Sequence, residues 1–496
     1  MSTNTALATS RKNLIISISV ILATAVILLL SVNNWSLWLD EAITVEMYSV
    51  GSFTELIGQF SAYNGSEVQM PGWITFMWAW IKLFGNSEYA LRSSNFLFIA
   101  ILLIYAYNTL RHGELTTKEL RIMWISLALT ALSPFVLYNM NEARCNIPMF
   151  AIAFICTLSA WRFTKTHNQS DLLTCIVWFT IGYVFNMLFG FMAISLLTIV
   201  WSKTSGASAR KTLKTNKITI ALCLLAFIAA SIYYLATIFV ENKGGQIERP
   251  GIGNIGHVFY EFMGFNGLGP NKNALRESSD KIAMLANFAP QIAVFAICYI
   301  AIFYYSLKAF LQTKKINRFF LAFAIGFAAF FAAAFIIKFR FWSRHLFFLY
   351  PLWILFMGYC IDYFAEKSSK PIKWIVMAAF TCTLIISSYN IAFNNYYKKE
   401  NVKGLVSKCK EIRNSREKIF WSESPQLPKY YNLKDSLIYF TAPTANDEGL
   451  FVWFNRLKPI KKTELQEFLD THAYQLVFEN RDFIIYRFSP STASGD

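Results

Sequence analysis

RKNLIISISVILATAVILLLSVNNWSLWLDE, running from Arg11 to Glu41, is the stretch whose reading decides the fold. Its apolar part, Leu14 to Val32, matches the length of helix that a hydrocarbon core requires, about 20 residues. Arg11 and Lys12 precede it as they would a signal peptide, yet the run exceeds a usual h-region and lacks a convincing small-x-small cleavage site. It reads as an uncleaved first helix with a cytoplasmic N-terminus. Directly after it come Trp35, Trp38 and the adjacent carboxylates Asp40 and Glu41.

Outward from this stretch the pattern repeats. Only 15% of the 496 residues are charged, against about 25% in a soluble domain. Further spans are expected near residues 92–110, 122–138, 147–163, 172–186, 188–201, 218–239, 284–307, 319–337, 346–364 and 374–393, giving about eleven transmembrane helices. Pro71–Phe84 is apolar but too short to cross, and its Trp73, Trp78 and Trp80 suit a helix lying at the interface.

The net charge of +16 would fit a nucleic-acid partner, but the basic residues sit in short clusters between apolar runs, as topology signals do. Alternation from an inside N-terminus assigns Arg11 and Lys12, Arg111, Lys118 and Arg121, and Arg162 and Lys165 to the cytoplasm. It also assigns Lys203, Arg210, Lys211, Lys214 and Lys217, then Lys308, Lys314, Lys315 and Arg318, then Lys367, Lys370 and Lys373. Were Pro71–Phe84 a span, every later basic loop would invert. The non-cytoplasmic side then receives the first outer loop (33–91), the turn 139–146, the loop 240–283 and the chain after about 394.

These features predict an all-α polytopic membrane domain over 1–393, with interfacial helices in its first outer loop. Residues 394–496 are expected to form a small periplasmic α/β domain, with Gln475–Phe478 and Phe483–Phe488 as a hairpin around Asn480-Arg481-Asp482. No transporter-type internal repeat is evident. Six of the eight cysteines lie in apolar runs, no CxxC occurs, and spacing leaves a Cys145–Cys409 bond open.

Four clusters could carry chemistry. Asp40 and Glu41 could simply open a helix, with Asp40 as N-cap. Alternatively, a carboxylate at headgroup depth could deprotonate an acceptor hydroxyl. Glu67 precedes the interfacial helix, and Arg92 stands at the outer mouth of the second span, where it would snorkel or hold a phosphate. Glu142 and Arg144 occupy the polar turn Tyr138–Asn146, where a local ion pair is the plainer reading. Lys338, Arg340, Arg344 and His345 crowd the outer end of a helix against the positive-inside trend, which points to recognition of an anion.

Asp40-Glu41, Pro71–Phe84 followed by Gly85–Arg92, Ser133-Pro134-Phe135 with Asn141-Glu142-Ala143-Arg144, and Arg340–Pro351 together resemble the GT-C superfamily of integral-membrane glycosyltransferases. The bacterial branch related to protein O-mannosyltransferases and the lipid A aminoarabinose transferase is the most similar. The resemblance is ordered over roughly residues 14–360. It implies inverting transfer of a sugar from a polyprenyl-phosphate donor, such as undecaprenyl phosphate, to a glycan, lipid or protein hydroxyl at the periplasmic face of the bacterial inner membrane. O-antigen or another lipopolysaccharide component is one such acceptor.

By the same resemblance Asp40 is the catalytic base. Arg92, Lys338, Arg340, Arg344 and His345 engage the lipid phosphate, while Glu41, Glu67, Glu142 and Arg144 line the donor or acceptor cavity. Met70-Pro71 replaces the family's proline pair, and Cys145-Asn146 stands where a tyrosine or aspartate is common, which leaves the donor sugar open. No cofactor is expected. A divalent metal at Asp40, Glu41, Glu67 and Glu142 is conceivable but not favoured, since the outer loops hold no Asp-x-Asp and the cations could neutralise phosphate alone.

A flippase or transporter for a lipid-linked glycan would place charges within the spans, which are nearly charge-free here. An O-antigen ligase or polymerase would not need carboxylates just after the first helix. A scaffold would leave the outer cations unexplained.

Overall fold

The structure, a computed structural model, describes residues 2–63, 65–111, 115–201, 212, 214–241, 248–271, 274–275, 280–314, 316–414, 417–433, 437–439, 443–444, 446–455 and 462–490. Among the expected cytoplasmic cations, Lys203, Arg210, Lys211 and Lys315 lie outside the described residues. The chain divides into two compact units: one of residues 1–33, 50–269 and 285–397, the other of residues 34–49, 270–284 and 398–496.

The first unit is helical. Each expected span is present as a helix or helix pair, and the chain is an all-α polytopic membrane protein with a small additional sheet-bearing unit. Seven of the described helices are long and apolar enough to cross a bilayer. An eighth span is a pair, Thr117–Ala131 and Pro134–Met140, bent by 53° where one continuous helix was expected over 122–138. The bend follows from Pro134, which cannot continue the preceding helix and instead starts a new one, with Ser133 Oγ accepting from the Val136 amide at 3.1 Å. Gln169–Phe185 and Met187–Trp201 are shorter apolar helices, and Tyr350–Lys367 carries Asp362, Glu366 and Lys367 near its end. The run expected over 284–307 forms its helix later, at Ala289–Thr313, with Pro290 in the first turn.

At the centre of this unit lies Asn146–Thr166, buried from Asn146 to Thr164. Its Ala, Phe, Ile and Cys side chains pack all round, as befits a helix that is apolar on every face. Lys217–Ile238 is the opposite case, almost entirely exposed, with its leucines and isoleucines turned outward. Aromatic rings fill the interior beside Asn146–Thr166: Phe135 stacks on Phe347 at 4.2 Å, Phe262 meets Tyr350 at 4.6 Å, and Phe150 lies 6.0 Å from Tyr350. Several cations expected as topology signals are also ion-paired at one end of the helices. Arg121 meets Asp362 at 2.6 Å, Arg162 meets Asp171 at 3.5 Å, and Lys165 meets Glu119.

The second unit holds a five-stranded sheet. Its strands are β1 (Lys418–Trp421), β2 (Leu437–Tyr439), β3 (Gly449–Phe454), β4 (His472–Glu479) and β5 (Phe483–Pro490), in the order β2-β1-β3-β5-β4. β1 runs parallel to β2 and β3, whereas β5 is antiparallel to β3 and β4. β4 and β5 form the expected hairpin, with a bulge between Leu476 and Phe478. β3 reads GLFVWF and is buried at every position, the pattern of a strand covered on both faces. Phe468 from the helix Lys462–Thr471 packs on Phe451 at 4.4 Å.

Candidate active site

In the second unit, Asp40 and Glu41 begin the helix Leu39–Tyr48. Trp38, not Asp40, is its N-cap, so both carboxylates fall in the first turn, where the helix dipole favours negative charge. Their environments differ. Asp40 is half-buried, and its carbonyl accepts from Thr44 Oγ1 at 2.7 Å. Glu41 is completely buried, and Oε2 accepts from Lys399 Nζ at 2.6 Å and from the Trp38 amide at 3.1 Å. Two adjacent residues of like charge therefore differ in surroundings: the Glu41 carboxylate is tied inward, and Asp40 is only half-buried.

In the first unit, the turn between Pro134–Met140 and Asn146–Thr166 is wholly buried and saturated with hydrogen bonds. Asn146 Nδ2 donates to Glu142 Oε2 at 2.9 Å and to Asn139 Oδ1 at 2.8 Å. Asn95 Nδ2 donates to the carbonyls of Met140 and Glu142, both at 3.1 Å. Asn141 accepts from the Asn33 amide at 2.9 Å and donates to the Ser31 carbonyl at 2.9 Å, fixing the end of the first helix. Arg92 is fully buried and Nη1 donates to the Asn33 carbonyl at 3.2 Å, in the same service.

Arg144 Nη1 reaches Glu67 Oε1 at 3.4 Å, a buried contact across 77 positions of sequence. Between these groups, Cys145 Sγ lies 3.2 Å from Met70 Sδ and accepts from Asn186 Nδ2 at 3.3 Å. Burial pushes its thiol above the ordinary range, while the Asn186 amide and the charges of Arg144 and Arg344 act in the opposite sense. All eight cysteines are free thiols, Cys145 and Cys409 included.

The late cationic cluster divides by side chain. The exposed Lys338 adopts a left-handed backbone, φ 58°, as the chain leaves the helix Arg318–Ile336. Arg340 pairs with Glu248 at 2.5 Å and lies over the Trp342 ring at 5.0 Å. His345 Nδ1 accepts from the Trp342 amide at 2.9 Å, which puts the proton of a neutral ring on Nε2. Ser343 Oγ donates to Glu261, and Asn254 Nδ2 donates to the Phe341 carbonyl at 2.8 Å.

Sequence reading had not singled out Glu248, Asn254, His257, Glu261 or Lys399. A signal for three of them existed: Asn254, His257 and Glu261 recur at helical spacing on the buried face of Ile252–Phe262. Among the described residues no three His, Cys, Asp or Glu side chains gather as metal ligands. Of the four carboxylates weighed as ligands, Glu41 holds an ammonium, Glu67 a guanidinium and Glu142 an amide.

Residues 69–234 match the family model described as Dolichyl-phosphate-mannose-protein mannosyltransferase. A crystal structure of ArnT from Cupriavidus metallidurans in the apo state superposes with a TM-score of 0.51 at 10% identity, covering 97% of this chain and 99% of that one. A second ArnT structure from the same organism, bound to undecaprenyl phosphate, gives 0.47 at 9% identity over the same shares. No curated protein matches in sequence. The resemblance to the GT-C superfamily is borne out in fold, and within residues 69–234 also in sequence.

Proposed function

We propose that this chain is a glycosyltransferase that moves a sugar from a polyprenyl-phosphate carrier to a hydroxyl acceptor at the periplasmic face of a bacterial inner membrane. The observation that carries the reading is the family-model match over 69–234, whose description names a lipid-phosphate sugar donor. That stretch contains Arg92, Glu142 and Arg144.

In the proposed step Asp40 takes the proton of the acceptor hydroxyl as its oxygen attacks the anomeric carbon. The bond from that carbon to the phosphate oxygen breaks, the configuration inverts, and polyprenyl phosphate leaves with the negative charge. A positioned base contributes about 10²–10⁴-fold. Asp40 suits the role better than Glu41, whose carboxylate is held by Lys399 inside the protein.

Charge on the departing phosphate is assigned to Arg344, with Lys338, Arg340 and His345 beside it in sequence. Arginine forks match phosphate oxygens, and lysine adds a point charge. Glu67, Glu142 and Arg144 are proposed to shape the sugar cavity, and Arg92 to hold the exit of the first helix. The proposed step is written without a divalent metal, the cations beside Arg344 supplying charge for the phosphate.

Incubating the purified chain with radiolabelled undecaprenyl-phospho-sugars and a glycolipid extract tests the class. Sugar appearing in the extract with release of undecaprenyl phosphate is the expected result. Intact donors throughout, with folded protein and a competent acceptor pool, would overturn it.

A further inference from the structure

We infer that Lys399 is a positioning residue for Asp40, so that the start of the C-terminal chain orients the proposed base. This rests on the reading of Asp40 given above. The Glu41–Lys399 pair is almost completely buried, with side-chain exposures of 0% and 1%. Taking two charges out of water is costly, and such a pair is maintained only with close geometry and further hydrogen bonds. Both conditions hold here: the contact is 2.6 Å, and Glu41 Oε2 also caps the Trp38 amide at the helix start.

The residues before the helix are stitched to the same segment of chain. Ser36 Oγ accepts from the Lys403 amide at 2.9 Å and donates to Asn401 Oδ1 at 3.3 Å. The Leu37 amide donates to Tyr431 Oη at 2.8 Å, and Lys398 Nζ lies 5.8 Å from the centre of the Trp35 ring. Asp40 is one residue from the buried carboxylate, in the first turn of a ten-residue helix. Loss of the pair therefore tilts or unwinds the turn that aims it. Lys399 itself, buried in this pair, does not meet substrate.

The test compares Lys399→Met, Lys399→Arg, Glu41→Gln and the double variant Glu41→Gln/Lys399→Met for kcat, donor KM and hydrogen exchange over residues 34–49. Misplacement of a reacting group by about 1 Å costs roughly 10²-fold, so Lys399→Met should lose that much kcat at nearly constant donor KM. Lys399→Arg should recover part of it. The double variant removes both charges of the pair and should exceed Lys399→Met by about tenfold. Wild-type kcat in Lys399→Met overturns the inference. So does a double variant that falls to the product of the singles, which would make Glu41 act independently of Lys399.

If the wild type transfers no sugar at all, the functional reading falls and exchange still decides the structural claim. Amides over 34–49 should exchange about tenfold faster or more in Lys399→Met. Unchanged exchange overturns it.

Discussion

Arg144→Met isolates the buried contact between the polar turn and the entrance of the helix Pro71–Phe84. The two side chains are 8% and 4% exposed, so the Glu67 carboxylate would be left inside the protein without this guanidinium. Removing one partner of such a pair costs about 3–5 kcal/mol. The wild-type separation of 3.4 Å is longer than the roughly 2.7–2.9 Å of a strong charge-assisted bond, which favours the lower end, about 3 kcal/mol. At about 1.4 kcal/mol per tenfold, the folded-to-unfolded ratio should fall by roughly 10²-fold. The assay is the folded fraction across a series of SDS/detergent mixed micelles, read by size exclusion with tryptophan fluorescence. Glu67→Gln/Arg144→Met removes both charges of the pair and should regain most of the loss. A single variant as stable as wild type, or a double no better than the single, would refute this account of the turn.

Other outcomes can be checked separately. Arg344→Ala should lower kcat/KM for the lipid donor by about 10²-fold while leaving the folded fraction intact, as loss of one donor to a developing charge does; steady-state kinetics against donor concentration measures it. Gly72→Ala should impair folding, because a Cβ there would lie 2.6 Å from the Val184 carbonyl oxygen, a backbone atom with little room to move. A strained insertion of this kind costs about 1–3 kcal/mol, seen as reduced monodisperse yield. The Asp447 carboxyl is held below its usual range by Thr444, whose hydroxyl and amide donate at 2.6 and 2.9 Å, and by Lys418. A depressed folded-state value stabilises above the unfolded pKa and is lost as pH falls through the folded one. Exchange protection in β1 and β3 should therefore weaken below about pH 4, and Asp447→Asn should remove that pH dependence.

The helices of the membrane unit were legible because apolar run length alone identifies them, and Lys and Arg between the runs sharpen the count. Their ends were less so. Pro134 bends one expected span by 53°, and the Ala289 helix starts five residues beyond the expected 284, at a start that Pro290 marks and apolar run length alone passes over. Within the candidate site, residue types and sequence neighbours were legible but their partners were not. Glu142 and Arg144 invited a local pair; what their spacing did not disclose is that Arg144 also meets Glu67 and that Glu142 accepts from Asn146. Glu41 and Lys399 are 358 positions apart, and nothing in the spacing of single residues encodes a contact across that distance. Asp40 and Glu41 were given different roles by resemblance; that Glu41 is buried on Lys399 while Asp40 is half-buried came only with the structure.

The most direct test of the central claim is a single-turnover comparison of wild type and Asp40→Asn, at saturating polyprenyl-phospho-sugar with acceptor present. The amide keeps the size of the side chain and removes its basicity, so donor binding and folding should persist while transfer slows by about 10²–10⁴-fold. Transfer by Asp40→Asn at the wild-type rate would contradict the account, since the proton of the acceptor would then leave by another group.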